Sequence, residues 1–529
     1  MTLPLLLLFC LQSRSVFSWI PQFSRAQPIP QVHSKKGAET ERETVSATSQ
    51  NPFVLKSVCR GPAGSYNDQY ERSISDPEGF WQEAASVLHW FKKPESILEY
   101  DDRTKLSRWF VGGELNACYN ALDLHVQNGR ADQLALVYDS PVTNTKRSYT
   151  YKELLDEVSL FAGVLVDEYG VEKGDRIVVY MPMIPEAVIA MLACARIGAV
   201  HSVVFGGFAP KELATRIDDC EPKLVITASC SVEPNGKITP YKPLLDDALE
   251  IAQHKVSNCI IAEREMQRCE LKEGRDKAYD DLMFKATRRQ SAVPLKSTDP
   301  SYILYTSGTT GKPKGIIRDT GGFTTGLKWS MSAFYDTHPG EVYWAASDVG
   351  WVVGHNYIVY GPLLQGCTTV LYEGKPIFTP DAGAFWRVVE EYGVNTLFAA
   401  PTAFRAIKQM DPKGLYVKDY NISSLKAVFL AGERCDPDTL RWCESHLGVP
   451  AIDHWWQTEL TYPGAGNSLG LGLLAPKYGA CAAPVPGYDI RVLDSGGVEV
   501  PRGVLGDVVI KLPLPPGSLP DLYKVRQTK

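Results

Sequence analysis

Hydroxyl, glycine and lysine side chains cluster in the middle of the chain, directly after a short apolar run. The run Tyr302-Ile-Leu-Tyr is followed by Thr-Ser-Gly-Thr-Thr-Gly-Lys-Pro-Lys-Gly, which ends at Gly315. Glycine amides can close on an anion because no side chain stands in the way, and hydroxyl and ammonium groups add donors and charge. We therefore predict a strand that leads into a polyphosphate-binding loop. The residues assigned to this phosphate loop are Thr306, Ser307, Gly308, Thr309, Thr310, Gly311, Lys312 and Lys314.

Two other interpretations of this loop are weaker. A P-loop carries Ser or Thr directly after its lysine and opens a helix whose N-terminus faces the phosphates. Here Pro313 follows Lys312, and because proline has no N–H and a fixed φ, it opposes the start of such a helix. A surface turn rich in serine and glycine would explain the glycines, but not the concentration of hydroxyls and lysines.

The segment from Tyr305 to Gly315 resembles the signature loop of the adenylate-forming superfamily, which includes acyl-CoA synthetases, luciferases and peptide-synthetase adenylation domains. All eleven residues match without a gap. The continuation to Gly322 is similar to the short-chain acyl-CoA synthetases, and Arg318 favours their propionate-type branch over the acetate-type branch. The resemblance implies ATP, coenzyme A and a short-chain acid as substrates and Mg²⁺ as cofactor. The residues that it implies for catalysis are Thr306, Lys312, Lys314 and Glu459.

Length and charge limit the remaining possibilities. The chain has 529 residues, too many for one ordinary core, and its formal net charge of −6 gives no basic field to hold a nucleic-acid backbone. Its twelve cysteines show no Cys-x-x-Cys pair and no regular spacing, so reduced thiols are expected rather than a zinc site or a disulfide framework. We expect small-molecule substrates, no nucleic-acid partner and no stable membrane insertion.

The amino-terminal residues have the composition of a leader. An apolar run from Leu3 to Leu11 is too short to span a bilayer, and no acidic residue occurs before Glu39. The acid-free continuation, rich in serine and arginine, is typical of a mitochondrial transit peptide, so the mitochondrial matrix is the favoured location. The leucine run leaves a secretory signal peptide as the alternative.

Strand and helix patterns alternate after the leader. Residues 175–181, 199–205 and 222–227 are apolar runs typical of buried strands, and helical patterns separate them, which indicates a parallel sheet flanked by helices. With the resemblance, we expect the α/β large amino-terminal domain of the adenylate-forming fold, with parallel-containing sheets. The predicted divisions are 1–65 for leader and linker, 66–135 for an aromatic-rich helical cap of acetyl-CoA synthetase type, 136–524 for the AMP-binding domain and 525–529 for a divergent tail.

A second polar cluster follows an apolar strand near residue 450, and packing alone does not explain it. The resemblance implies that Thr458 holds the nucleotide and that Glu459 binds Mg²⁺, a cation that prefers hard carboxylate oxygens. Strands at 395–402 and 425–434 are also predicted to run into polar loops where an adenine could be sandwiched. The ATP-binding residues implied here are Gly432, Glu433, Arg434, Asp453, His454, Trp455, Trp456, Gln457 and Thr458, with Arg434 replacing the proline that the family carries.

The acyl and coenzyme A contacts are implied by the resemblance alone. The residues that it places around the acyl group are Trp351, Val352, Val353, Gly354 and Trp456. The bulky Trp456 indole would leave room for only the shortest acids, and Val353 replaces the usual threonine. The residues that it places near coenzyme A are Gly206, Gly207, Glu233, Pro234, Asn235, Gly236 and Lys237. Without the resemblance, the glycine pair reads as a tight turn and His355 as a buried core histidine.

Family members continue well beyond the point where this sequence stops, into a small carboxy-terminal domain that carries a catalytic lysine. The favoured function is therefore an ATP-dependent propionate- or acetate-CoA ligase, expected to be impaired without that domain. The alternatives are a non-catalytic nucleotide or acyl-AMP binder and, less favoured, an adenylating enzyme with an acceptor other than coenzyme A.

Overall fold

The computed structural model describes residues 65–101, 106–306, 313–518 and 521–524, without the side chains of Asp101 and Asp521. The chain divides into two compact units. Among the described residues, the larger unit comprises 65–490 and 510–524, and the smaller unit comprises 491–509. In the smaller unit, Arg491 pairs with Glu499 across a short turn.

Helices occur along the whole described chain. The α-helices are α1 Tyr66–Ser75, α2 Pro77–Ala85, α3 Tyr151–Tyr169, α4 Pro185–Ile197, α5 Pro210–Cys220, α6 Tyr241–Ile251, α7 Tyr279–Lys285, α8 Thr320–Ala333, α9 Val352–Gly354, α10 Gly361–Gln365, α11 Ala384–Tyr392, α12 Pro401–Met410 and α13 Pro437–Leu447. Tyr119–Asp123, Val126–Arg130 and His355–Tyr360 are π-helical, and Tyr416–Asp419 and Leu469–Leu471 are 3₁₀-helical.

The strands alternate with these helices. They are β1 Ser96–Asp101, β2 Leu106–Val111, β3 Glu114–Leu115, β4 Leu134–Ser140, β5 Thr145–Thr150, β6 Arg176–Tyr180, β7 Val200–Val203, β8 Leu224–Ala228, β9 Cys230–Val232, β10 Ile238–Pro240, β11 Cys259–Ala262, β12 Asp276–Ala278, β13 Leu295–Lys296, β14 Pro300–Thr306, β15 Lys314–Asp319, β16 Val342–Ala346, β17 Thr368–Tyr372, β18 Val394–Ala399, β19 Ala427–Leu430, β20 Ala451–Asp453, β21 Ala465–Gly466, β22 Ala483–Pro484, β23 Asp489–Leu493, β24 Asp507–Lys511 and β25 Asp521–Leu522.

Two large mixed sheets organise the larger unit. The first has eight strands in the order β12-β11-β8-β6-β7-β14-β15-β25, and the second has seven in the order β20-β19-β18-β16-β17-β4-β5. Neighbours are parallel except for β14–β15 and β15–β25 in the first sheet and β4–β5 in the second. This architecture confirms the predicted α/β fold with parallel-containing sheets flanked by helices.

Local sequence signals explain where several of these elements begin and end. Helix α3 starts at a capping box in which Thr150 and Glu153 exchange hydrogen bonds, and it ends at Gly170 in the left-handed conformation. Helix α4 is apolar on nearly every face and is buried accordingly. The strands predicted near residues 175–181, 199–205 and 222–227 are confirmed as β6, β7 and β8.

The sequence predicted a helical cap for the aromatic-rich region after residue 66, but the structure shows that this region is not purely helical. Helices α1 and α2 are followed by the antiparallel hairpin β1–β2. The irregular spacing of the aromatic residues arises because they come from different elements to one cluster. Trp81 of α2 packs edge-on against Trp109 of β2 and against Trp329 of α8.

The described cysteines are all unpaired thiols. Eight are buried and two are partly buried, and burial raises the pKa of several of them, Cys118 among them to about 12. No helix within the described ranges is long and apolar enough to cross a bilayer.

Candidate functional site

The predicted phosphate loop connects two antiparallel strands. Strand β14 ends at Thr306 and β15 begins at Lys314, and these two residues lie opposite each other in the pairing. Ser307 to Lys312, the central part of the prediction, lie outside the described residues. The chain continues from Lys314 as a strand rather than as a helix, which agrees with the rejection of a P-loop.

Two further predicted segments meet at one edge of the second sheet. Strands β19 and β20 are parallel neighbours, so the loops at their carboxyl ends lie side by side. The amide of His454 donates to the carbonyl of Leu430 over 3.0 Å. Asp453 closes β20 and is 9% exposed, and its burial raises its pKa to about 6 although the backbone amides of Cys435 and His454 donate to it.

The Gly432–Arg434 turn is held from the side by helix α12. Arg405 donates to the Glu433 carboxylate over 2.9 Å, to the Arg434 carbonyl over 2.6 Å and to the Asp436 carboxylate over 3.0 Å. Gly432 has a φ of +106°, a conformation that strongly favours glycine. The polar loop predicted after strand 395–402 is wrong in its extent, because Pro401 already starts α12 by occupying its first turn.

Thr458 and Glu459 follow β20 in an extended turn and are both partly buried. Among the described residues, no side chain donates to the Glu459 carboxylate or forms an ion pair with it. A partly buried carboxylate beside a hydroxyl is a donor set that suits Mg²⁺. The described ranges contain no cluster of three or more His, Cys, Asp or Glu residues that could hold a metal by itself.

Arg318 connects this turn to the hairpin that carries the phosphate loop. Its guanidinium donates to the carbonyls of Glu459 (3.2 Å), Leu460 (3.0 Å) and Thr458. A further bond of 2.7 Å reaches the carbonyl of Gly517. Arg318 is 1% exposed. A single side chain of strand β15 thus contacts the main chain of Thr458 and Glu459, the predicted nucleotide and metal residues.

Trp456, which is predicted to line the acyl pocket, lies among aromatic residues. It is 9% exposed, packs edge-on against Tyr357 with ring centroids 5.4 Å apart, and has a tilted contact with Phe398 at 6.4 Å. Val352 and Val353 are partly buried and pack against the same hydrophobic core. Gly354 leaves no room for a Cβ, which would come within 2.1 Å of the Asp348 carbonyl.

Trp351 lies beside the residues that flank the glycine pair predicted to face coenzyme A. Its indole is 40% exposed, has a tilted contact with Phe205 at 5.2 Å and packs edge-on against Phe208 at 6.3 Å. Tyr180 donates to the carbonyls of Gly206 (3.3 Å) and Phe208 (2.9 Å), which fixes the turn. Trp351 therefore joins the acyl segment to the Gly206–Gly207 turn.

Residues 233–237 form the tip of the β9–β10 hairpin. The Glu233 amide donates to the Lys237 carbonyl over 2.9 Å, and Lys237 itself is exposed. Helix α6, which follows this hairpin, carries Tyr241, whose ring stacks on Tyr180 at 4.9 Å. The two segments predicted to contact coenzyme A thus meet through this tyrosine pair.

His355 is a buried core residue in the structure. Its ring lies between His201, at 5.4 Å, and Tyr302, at 4.7 Å, and its Nδ1 contacts the Trp351 carbonyl at 3.0 Å. Burial lowers the pKa of His355 to about 4, so the ring is neutral at neutral pH.

Sequence reasoning missed three residues that hold the site together: Arg318 as a contact to the Thr458–Leu460 turn, Arg405, and Asn356. Asn356 is fully buried, accepts from the Tyr302 hydroxyl over 3.1 Å and donates to the Thr461 carbonyl over 2.6 Å. A charged side chain inside the apolar run of β15 was the available signal for Arg318.

Comparison with known proteins gives a consistent set of relatives. A family model described as AMP-binding enzyme matches residues 124–514, and one described as acetyl-coenzyme A synthetase N-terminus matches residues 66–121. The mitochondrial acyl-CoA synthetase short-chain family member 3 of Homo sapiens is 52% identical over 503 residues, which are 94% of this chain and 73% of that protein. The propionate–CoA ligases of Salmonella typhimurium and Escherichia coli are 43% and 42% identical, over 87% of this chain and 72% of each ligase.

Proposed function

Because this chain belongs to the family of AMP-binding, adenylate-forming enzymes, we propose that it is a short-chain acyl-CoA synthetase that acts on propionate or acetate. ATP and coenzyme A are the other substrates. The observation that carries this proposal is the meeting of three segments: Arg318 of the phosphate-loop hairpin bonds to the Thr458–Glu459 turn, and Trp456, directly before that turn, packs against Tyr357.

In the first half-reaction, a carboxylate oxygen of the acid forms a bond to the α-phosphorus of ATP while the bond from that phosphorus to the pyrophosphate oxygen breaks. The products are acyl-AMP and pyrophosphate. We assign the β- and γ-phosphates to the hydroxyls, amides and lysines of the phosphate loop, with Thr306 and Lys314 at its two ends. Charge neutralisation and alignment in such a site carry most of the rate.

Glu459 is the proposed carboxylate ligand of Mg²⁺, with Thr458 beside it toward the phosphates. When bound, Mg²⁺ would neutralise charge on the leaving pyrophosphate. The Gly432–Arg434 turn, the Asp453 carboxyl and the main chain next to His454 are proposed to surround the adenine. Their neighbourhood at the ends of β19 and β20 supports this assignment, since ligands of open α/β sheets bind at the carboxyl ends of strands.

In the second half-reaction, the coenzyme A sulfur forms a bond to the acyl carbon while the bond from that carbon to the AMP oxygen breaks. The thiol proton passes to solvent. We propose that the thiol arm passes the Gly206–Gly207 turn beside Trp351 and that the nucleotide end lies near the exposed hairpin tip at Lys237. The tyrosine pair that joins these two segments supports a continuous path.

We also propose a mitochondrial location. The supporting observations are the mitochondrial location of the relatives in Homo sapiens and Rattus norvegicus, as their names give it, and the acid-free amino-terminal sequence before Glu39. Import into isolated mitochondria, with shortening of the chain and protection from added protease, tests this proposal.

The function is tested with the purified full chain, MgATP, coenzyme A and each of acetate, propionate and butyrate, with AMP and acyl-CoA followed separately. We expect acid-dependent formation of both products, with propionate and acetate preferred. Nucleotide binding without any acid-dependent AMP would favour a binding protein instead, and no binding of MgATP at millimolar concentration would refute both. Glu459→Gln should remove the metal dependence of nucleotide affinity, whereas Glu250→Gln, on the exposed surface of α6, should leave it unchanged.

A further inference from the structure

We infer that Arg318 is a positioning residue that sets the direction of the Thr458 and Glu459 side chains and thereby makes nucleotide affinity depend on the metal. The inference rests on the proposed function of that turn. Arg318 lies on strand β15, four residues beyond the phosphate loop, and its guanidinium donates to four main-chain carbonyls. None of the described carboxylates forms an ion pair with it.

The contacts fix three successive peptide groups. Carbonyl oxygens of Thr458, Glu459 and Leu460 all point at one guanidinium. Because a peptide is planar, fixing its carbonyl also fixes the N–H of the next residue and limits rotation about the intervening Cα. Two of these planes flank Glu459 and set its Cα–Cβ direction. The plane before Thr458 is held in turn, because the Leu460 amide donates to the Gln457 carbonyl over 3.0 Å. The guanidinium of Arg318 therefore limits where the Glu459 carboxylate and, through Leu460, the Thr458 hydroxyl can point.

A second set of bonds holds the same turn from its far side. Ser518 accepts from the Thr461 amide over 3.1 Å, and Asn356 donates to the Thr461 carbonyl over 2.6 Å. Gly517, the fourth carbonyl partner of Arg318, precedes Ser518 and has a φ of +74°. The turn is therefore clamped between β15, the π-helical segment at Asn356 and the segment at 517–518.

Lysine cannot replace this arginine. A guanidinium presents five donors in a planar fork, whereas an ammonium is a compact charge with three donors. Arg318→Lys would leave buried carbonyls without donors and release the peptide planes, although the positive charge would remain. A role that depended on charge alone would survive the change, and a positioning role would not.

The test compares Arg318→Lys with Arg196→Lys in the full chain. Arg196 is also buried, at 4% exposure, but it binds the Asp123 carboxylate (2.7 and 2.9 Å) and the Gln290 carbonyl, away from the turn. Calorimetry measures the affinity for ATP with and without Mg²⁺. We expect the gain in affinity that Mg²⁺ provides to fall by about tenfold or more in Arg318→Lys, the size of losing a charged hydrogen bond, and to persist in Arg196→Lys.

Hydrogen–deuterium exchange of the peptides covering 456–462 gives a readout that needs no nucleotide. We expect faster exchange there in Arg318→Lys and unchanged exchange in Arg196→Lys. If the exchange of this segment in Arg318→Lys equals that of the wild type, the inference is overturned. An unchanged Mg²⁺-dependent gain in ATP affinity in this variant would overturn it as well. If the wild-type chain binds no nucleotide at all, the proposed function fails. The exchange experiment then still shows whether Arg318 holds the Thr458–Leu460 turn in place.

If Arg318→Lys does not fold, Ser518→Ala provides the second variant. It removes the acceptor of the Thr461 amide and leaves Arg318 in place. We expect the same two changes at smaller size, and faster exchange without any loss of the Mg²⁺-dependent gain would overturn the link between the turn and the metal.

Discussion

Tyr357 lies edge-on against Trp456, with ring centroids 5.4 Å apart and an angle of 61° between the ring planes. The tyrosine hydroxyl is 3.0 Å from that of Ser330, and its ring packs edge-on against Tyr335 at 4.8 Å. Tyr357 is fully buried and cannot move away without disturbing this cluster. The indole therefore rests on a rigid surface, and we expect it to set the depth of the proposed acyl pocket.

Trp456→Gly should extend the pocket down to Tyr357 and Phe398 and should admit longer acids. Each additional buried methylene contributes about 0.8 kcal/mol, so butyrate and pentanoate should gain several-fold in relative preference per carbon. The measurement is the chain-length profile of acid binding or acid-dependent AMP formation. Trp456→Phe should shift the profile less, and a profile unchanged in both variants would show that the indole does not limit the acid.

Val353→Thr should reduce the preference for propionate over acetate. Val353 is partly buried against the core that includes Trp456. Threonine replaces one methyl with a hydroxyl that must be desolvated, so the methyl end of propionate loses an apolar contact. The ratio of propionate to acetate efficiency should fall by up to roughly fourfold, equivalent to about 0.8 kcal/mol for one methylene.

Val166→Thr is the control for this prediction, since it makes the same chemical change at a partly buried valine of helix α3 that packs against the same core. We expect the ratio to respond at Val353 and not at Val166. An equal response at both positions would assign the effect to a general loosening of the core rather than to contact with the acid.

The strands of this fold could be predicted because their signals are local. Apolar runs such as Ile177 to Tyr180 are buried on both faces, and this produces a continuous pattern that needs no knowledge of neighbouring strands. The cluster of polar and aromatic residues after β20 was noticed for the same reason, because it directly follows an apolar strand. The roles of Thr458 and Glu459 came from the family resemblance and stay predictions.

Contacts between distant segments could not be predicted in this way. Arg318 reaches carbonyls about 140 residues further along the chain, and main-chain acceptors leave no mark on the sequence. The contacts of Trp351 with Phe205 and Phe208 could not be predicted either, because they join residues that are far apart in the sequence. The hairpin within the predicted helical cap was missed for the same reason: irregularly spaced aromatic residues do not show that Trp81 belongs to a helix and Trp109 to a strand.

Asp453 should make the chain less stable as the pH rises from about 4 to 6. Burial raises its pKa from 3.8 to about 6 in the folded state, so between these values the folded chain holds a proton that the unfolded chain has released. Stability falls with rising pH wherever the folded state binds more protons, and it is level above the folded pKa. The full loss in the free energy of unfolding is on the order of 3 kcal/mol, because a pKa difference of one corresponds to about 1.36 kcal/mol.

The measurement is the difference in unfolding free energy between wild type and Asp453→Asn at several pH values, which cancels the contributions of other carboxyl groups. The asparagine cannot ionise, so the wild type should lose stability relative to the variant across this window. A difference that is constant from pH 4 to pH 7 would show that Asp453 ionises normally.

Arg405→Gln should weaken nucleotide affinity while leaving its dependence on Mg²⁺ intact. Arg405 holds the Gly432–Arg434 turn through Glu433 and the Arg434 carbonyl, far along the sequence from the proposed metal ligand, and its side chain is 37% exposed. Solvent screening limits each such ion pair to about 1 kcal/mol or less, so we expect a several-fold loss in ATP affinity. Calorimetry with and without Mg²⁺ measures both quantities in one series. Lys408 lies on the same helix as Arg405 and forms an exposed ion pair with Asp438 of helix α13. Lys408→Gln should leave the ATP affinity unchanged. Equal losses of ATP affinity in the two variants would assign the effect to surface charge. If Arg405→Gln also lost the dependence on Mg²⁺, the Gly432–Arg434 turn would contribute to the metal site.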